Sequence, residues 1–142
     1  VAKYFMSPDS GGSAHLVIDD DACYRCLPNT VVPWGAPGAN TNGFHIEQLG
    51  YAAWTEKQWL AHPHMLERVA YKMAVHSKLF GIPLVFTDAA GLKAGHRGVT
   101  THLEVSKAFP NNAGNHHDPG TGYPMLHVLE LAKEYKAKLP KK

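Results

Sequence analysis

"SAHLVID", residues 13 to 19, is the first run along the chain that is typical of a β-strand. It is rich in alternating apolar residues, and after an acidic turn it is followed by "ACYRCL", residues 22 to 27. Two such runs joined by a turn predict consecutive antiparallel strands. "GFHIEQLG", residues 43 to 50, predicts a third strand. Its period of two places His45 and Glu47 on one face, opposite Phe44 and Ile46.

A long amphipathic helix is predicted from about His64 to Phe80, ended by Gly81 and Pro83. His76 is off the apolar stripe of this helix, and we expect it to be exposed to solvent. The stripe follows helical spacing and consists of Leu66, Val69, Ala70, Met73 and Ser77.

The remaining segments complete an alternation of strands and helices. "VAKYFM", residues 1 to 6, has the character of a helix end, and "VVPWGAPGANTNG", residues 31 to 43, is typical of a long surface loop. "GVTTH", residues 98 to 102, predicts a short strand ending at His102. A terminal helix over residues 124 to 139 is built on Leu126, Leu129 and Ala132 or Lys133. This order predicts an α/β or α+β sheet with helices packed on it.

Composition narrows the class of protein. We expect 142 residues, of which 44% are hydrophobic and 18% charged, to form one globular domain, 1–142. A formal charge of +2 does not favour nucleic acid, and no apolar run approaches the roughly 20 residues that span a bilayer. The opening residues do not show the pattern of a signal peptide. Cys23 and Cys26 have no second pair to form a four-thiolate zinc site, so we expect no function for them.

His102 and Asp118 are the candidate metal ligands. Ten histidines are many for this length, and histidine serves both metal binding and proton transfer. A catalytic zinc uses three ligands from His, Asp, Glu or Cys, and stiff chain ends hold such ligands well. Considered alone, His102 could equally be an ordinary surface histidine, and Asp118 could belong to an Asp-Pro-Gly turn that binds no metal.

Four motifs together resemble the zinc-dependent N-acetylmuramoyl-L-alanine amidases of the type 2 class, relatives of the peptidoglycan recognition proteins. "SAHLVID" is similar to the family's S-x-H-Y-x-I strand, and "GFHIEQ" to its S-I-G-I-E strand. "GVTTHLEVS", residues 98 to 106, resembles the segment that supplies a zinc histidine. "SKAFPNNAGNHHDPG", residues 106 to 120, is similar to the amidase domains of endolysins from mycobacteriophages. The resemblance implies a central mixed β-sheet flanked by helices.

The resemblance also implies roles for individual residues. His102 and Asp118 would bind Zn²⁺, and Glu47 would act as the general base. His116 would stabilise the oxyanion or donate to the leaving amine. His96 in "AGHRG" is an alternative ligand to His102, which we favour. His117 is expected to face solvent or support the site.

Four further residues are candidates for substrate contact. Trp34 and Asn42 occupy the loop where the family contacts glycan and peptide, and His15 and His45 could line the groove. The alternative for His15 and His45 is that they are hydrogen-bonded polar groups at a sheet edge. The alternative for Trp34 is that it covers the core.

The family's first zinc ligand is a histidine on a strand near the start of the domain, and the sequence has no matching motif. We expect that strand, and the third ligand, upstream of Val1; the alternative is that another histidine within the chain completes the site. A site with only two ligands should bind zinc weakly.

The resemblance implies hydrolysis of the amide between N-acetylmuramic acid and L-alanine in peptidoglycan. As part of a phage endolysin, the enzyme would be made in the host cytoplasm and would act on the bacterial cell wall. Whether a separate wall-binding domain accompanies it stays open. The rival interpretations are a non-catalytic peptidoglycan-binding module and a zinc peptidase that cuts within the stem peptide.

Overall fold

A small mixed sheet lies at the centre of the computed structural model, which describes residues 1–141 apart from the side chain of Ala113. Its strands are β1 (Leu16–Ile18), β2 (Cys23–Arg25) and β3 (Ile46–Gln48), in the order β2-β1-β3. β1 pairs antiparallel with β2 and parallel with β3. The predicted hairpin and the predicted mixed sheet flanked by helices are therefore confirmed.

Helices surround this sheet. The two long ones are α3 (Pro63–Phe80) and α7 (Met125–Lys138), which pack against each other. No helix within residues 1–141 is long and apolar enough to cross a bilayer. The shorter helices are α1 (Ala2–Phe5), a 3₁₀ helix (Pro8–Ser10), α2 (Glu56–Leu60), α4 (Ala89–Lys93), α5 (His102–Ala108) and α6 (Pro110–Ala113).

The core lies where β1, α3 and α7 meet. The predicted stripe of α3 is buried except for the half-buried Met73, and the left-handed Gly81 ends the helix as expected. On α7 the predicted position of Leu126 is wrong, because its side chain is 77% exposed. The predicted Leu129 and Ala132 are buried against α3 together with Val128, so the apolar face of the helix begins two residues after Leu126.

His76 is buried, and the prediction of an exposed side chain was wrong. Only 4% of it is exposed, and its ring stacks on Phe44 with centroids 3.6 Å apart. Its Nδ1 lies 2.8 Å from the carbonyl oxygen of Lys72, one turn back in α3. The segment leading into β3 covers this face of α3, so the helix is enclosed over a wider arc than its apolar stripe indicates.

The predicted strand ending at His102 was also wrong. Val99 makes one isolated parallel bridge to Phe86, and His102 is the first residue of α5. The N-cap is Thr101, whose side chain accepts a hydrogen bond from the amide of Glu104. Threonine followed three residues later by glutamate is a helix-start signature, and it overrides the strand preference of the β-branched residues before it.

Candidate metal centre

Three side chains converge at the start of α5: His102, His116 and Asp118. Their potential ligand atoms all lie within 4.8 Å of one another. Nδ1 of His102 is 3.2 Å from Oδ2 of Asp118, and Nδ1 of His116 is 3.8 Å from Oδ1 of the same carboxylate. The Asp118 carboxylate thus contacts two imidazoles at once.

The loop that carries His116 and Asp118 is fastened along α5. The amide of Leu103 donates to the carbonyl of Asp118 over 3.1 Å, and the amide of His116 donates to the hydroxyl of Ser106 over 3.2 Å. The peptide bond between Asp118 and Pro119 is cis. The two hydrogen bonds hold the loop beside His102, the third member of the cluster.

A second anchor lies just beyond Asp118. Gly120 has a positive φ of 91°, and a Cβ atom there would overlap the carbonyl oxygen of Ala52. Gly122 approaches the backbone of Trp54 in the same way. Close backbone approach requires glycine, so the loop after β3 and the loop of Asp118 are in direct contact.

Glu47, in the middle of β3, belongs to the same electrostatic environment. Burial raises the pKa of the Glu47 carboxyl, the nearby charge of Asp118 raises it further, and His102 opposes both. Burial alone would raise the pKa of Asp118 as well, but the hydrogen bond and charge of His102, with the charge of His116, lower it overall. Two carboxylates with pKa values shifted in opposite directions are suited to different tasks, one binding a cation and one accepting a proton.

The donor set fits zinc. Two imidazoles and a carboxylate are ordinary zinc ligands, and tetrahedral bonds of about 2.0–2.2 Å place ligand atoms roughly 3.3–3.6 Å apart. The 3.2 Å between His102 and Asp118 is close to that spacing. The side chain of His102 is 17% exposed, whereas His116 and Asp118 are about half exposed, at 49% and 51%. The cluster is therefore rooted in the protein on one side and open to solvent on the other.

The two histidines proposed to line a groove occupy different surroundings. His15 is only 2% exposed, and both of its ring nitrogens have partners, so it offers no surface to a substrate. His45 is half-buried, and its ring contacts Gly35 and Gly43 of the preceding loop. Burial lowers the pKa of His45 to about 4, with the charges of His15 and His102 contributing and the Ala39 carbonyl opposing.

The other predicted residues lie at the surface. Trp34 is 69% exposed and Asn42 is exposed. His96 lies in a different groove, beside Phe86 and Arg97, so it is His102 that meets Asp118. His117 is exposed and lies outside the cluster.

His116 was predicted to assist catalysis and was not predicted to be a potential metal ligand together with His102 and Asp118. The His-x-Asp spacing of His116 and Asp118 was the available signal. The contact between Gly120 and Ala52 joins segments distant in sequence, and no local pattern indicates it.

A family model described as N-acetylmuramoyl-L-alanine amidase matches residues 2–121. The chain belongs to this amidase family. The match covers β1 to β3, α2 to α6 and every residue of the candidate metal centre, and it stops before α7. It confirms the family that the four motifs resemble.

The fold is similar to that of a solved hydrolase. The chain is similar to the crystal structure of Staphylococcus aureus hydrolase AmiA in complex with its ligand, with a TM-score of 0.69 and 18% sequence identity. The similarity covers 88% of this chain and 58% of the AmiA chain, so the amidase-family chain spans little more than half of that protein. At this identity the likeness concerns the fold alone. No curated protein matches the chain significantly in sequence.

Proposed function

We propose that this chain is the catalytic domain of a zinc-dependent N-acetylmuramoyl-L-alanine amidase. The bond cleaved is the amide between the lactyl group of N-acetylmuramic acid and the L-alanine of the stem peptide. The observation that carries the proposal is the convergence of His102, His116 and Asp118 near Glu47, in a chain of the amidase family. A module that only binds peptidoglycan does not require this set of groups.

The residues divide into those that hold the metal and those that move protons. His102 and Asp118 would hold the zinc, which when bound polarises the scissile carbonyl and activates water. His116 is close enough to His102 and Asp118 to complete the ligand set. If another segment of the protein supplies the third ligand, His116 would instead donate a hydrogen bond where negative charge develops on the carbonyl oxygen.

Glu47 is the proposed general base. Its carboxyl is partly removed from solvent, on a short strand beside the metal centre. A carboxylate in that position accepts the proton of the attacking water as the new carbon–oxygen bond forms. The same proton is then available to the departing amine of L-alanine, so the group ends the reaction as it began.

The biological setting is proposed on the same resemblance. The similarity of residues 106 to 120 to mycobacteriophage endolysins supports a phage lytic enzyme, made in the host cytoplasm and acting on the host cell wall. Peptidoglycan would be its partner, and we propose that residues 1–142 form one domain. The exposed Trp34 and Asn42 are the candidates for contact with glycan or peptide.

The test is digestion of purified peptidoglycan by the zinc-loaded protein, with identification of the new amino termini. We expect L-alanine. Another amino terminus would make the enzyme a peptidase, and binding without cleavage would make the chain a recognition module.

A substitution in β3 separates chemistry from metal binding. Glu47→Gln should keep zinc and lower the rate by roughly 10²–10⁴-fold, the usual contribution of a general base. Glu130→Gln, a matched change on the exposed face of α7, should leave both unchanged. A Glu47→Gln protein that digests peptidoglycan at the parent rate would remove the mechanism.

A further inference from the structure

The buried ring of His15, immediately before β1, is held by hydrogen bonds at both nitrogens. The backbone amide of His45 donates to Nδ1 over 3.1 Å, and Nε2 lies 3.0 Å from the carbonyl oxygen of Val31. An amide can only donate and a carbonyl can only accept. The tautomer is therefore defined: Nδ1 carries the lone pair and Nε2 carries the proton.

These two bonds connect both ends of the long loop to β1. Val31 begins the loop of residues 31 to 43, and His45 follows it, directly before β3. The backbone adds further bonds at the same place, since the amides of His15 and Leu16 both approach the carbonyl of His45, at 3.1 and 3.2 Å. The residue before β3 is thus bound to residues 15 and 16 through its amide and its carbonyl.

The position of Glu47 depends on this anchor. Glu47 is two residues beyond His45 and pairs with Val17 of β1. β3 has only three residues, and β1 is its one partner strand in the described part of the chain. A shift of the backbone at His45 would therefore be passed directly to the proposed base.

We propose that His15 is a positioning residue, whose neutral Nε2–H tautomer ties the Val31 carbonyl and the His45 amide to β1 and so holds Glu47 at the metal centre. The catalytic consequence rests on the function proposed above. The hydrogen-bonding role stands on the geometry alone.

The surroundings of His15 keep its ring neutral. Phe44 stacks on it with centroids 4.4 Å apart, and His76 of α3 stacks on the far side of Phe44. Burial lowers the pKa of His15, the Val31 carbonyl opposes this, and the charges of His76 and of Arg25 on β2 lower it again. The ring of His45 also faces it, edge-on at 6.2 Å. A second proton on His15 would occupy Nδ1 and leave the His45 amide without an acceptor.

Two substitutions test the role. His15→Phe keeps a ring against Phe44 but loses both hydrogen bonds, whereas the amide of His15→Gln can accept from His45 and donate to Val31. The matched control is His76→Phe, which changes the other ring stacked on Phe44 and leaves the His45 amide bonded.

The readouts are the tautomer of His15 from ¹⁵N NMR, hydrogen exchange of the His45 amide, and kcat and KM on peptidoglycan. We expect the Nε2–H tautomer in the parent protein. In His15→Phe, exchange at His45 should be roughly tenfold faster or more and kcat lower by a similar factor, with KM little changed. His15→Gln should restore both values, and His76→Phe should keep slow exchange at His45.

The opposite results would overturn the proposal. The first is a proton on Nδ1 of His15 in the parent protein. The second is unchanged hydrogen exchange of the His45 amide in His15→Phe, and the third is exchange of that amide in His15→Gln as fast as in His15→Phe. If His15→Phe does not fold, the tautomer and His15→Gln still decide. If the parent protein does not cleave peptidoglycan, the proposed function fails, and the tautomer and exchange measurements judge His15 independently.

Discussion

His102 and His116 stack face to face, with ring centroids 3.7 Å apart and planes 13° from parallel. The two rings come from different segments, one from the first residue of α5 and the other from the loop beside it. Asp118 contacts both. The candidate metal centre is therefore built at a single junction, and we expect substitutions there to act on metal binding more than on the core.

The first prediction concerns zinc affinity. In this chain, His102→Ala, Asp118→Ala and His116→Ala should each weaken zinc binding by at least roughly tenfold, because every lost ligand removes a bond and releases its neighbours. Zinc titration by calorimetry in metal-free buffer measures the effect. His117→Ala is the matched control, since His117 is the exposed residue between His116 and Asp118. Unchanged affinity in His116→Ala would return that residue to the role of hydrogen-bond donor.

The second prediction concerns Gly120, which places Asp118 against the loop after β3. Gly120→Ala should lower the free energy of unfolding by more than the about 1–2 kcal/mol of a left-handed backbone, because its Cβ would also overlap Ala52. It should weaken zinc binding as well. Gly95→Ala is the control, with a φ of 78° and no atom within 4 Å of the added Cβ. Urea denaturation and zinc titration on both variants measure the difference, and equal effects would contradict it.

The sheet could be predicted because its signal is local. The apolar run in residues 13 to 19, whose three strand residues are all buried, and an acidic turn indicate β1 and β2, and a period of two indicates β3. Two signals overlap at residues 98 to 102: β-branched residues favour a strand, whereas the cap formed by Thr101 starts a helix. The capping signature is equally local, so the sequence also carries the signal for a helix start.

The site was predictable only through motifs. No periodicity brings His102 to Asp118, 16 residues later, and the contact depends on a loop folded back along α5. The stacking of His15 and His76 on Phe44 could not be predicted, because Phe44 lies between the two rings and is distant from both in sequence.

The third prediction concerns the start of α3. The N-cap residue of this helix is His62, and its side chain makes no capping hydrogen bond. Asp20, from the turn after β1, accepts a hydrogen bond from the amide of Met65 over 3.1 Å and also contacts His62. Loss of a helix cap costs about 0.5–2 kcal/mol, so Asp20→Ala should lower the free energy of unfolding in urea by about that amount. Asp20→Asn keeps an acceptor and should cost less. Asp21→Ala, at the exposed neighbour, should have little effect.

The fourth prediction concerns acid stability and rests on three enclosed histidines. Burial is the main cause that lowers the pKa of His15, His45 and His76, for His45 from 6.5 to about 4. Below pH 6.5 the unfolded chain therefore binds more protons than the folded chain, and stability falls as the pH drops. The contribution of His45 is fully present above pH 6.5 and is lost towards about pH 4, and those of His15 and His76 are lost in the same direction as the pH falls. Glu47, whose pKa is raised by burial, opposes part of this loss.

Urea midpoints at a series of pH values from neutral to mildly acidic measure this dependence. His76→Phe removes one of the three groups and keeps a ring against Phe44, so its stability should fall less steeply with acid than that of the parent protein. His127→Phe, on the exposed surface of α7, is the control and should preserve the parent slope. A slope that His76→Phe leaves unchanged would mean that His76 takes up its proton in the folded protein as readily as in the unfolded chain.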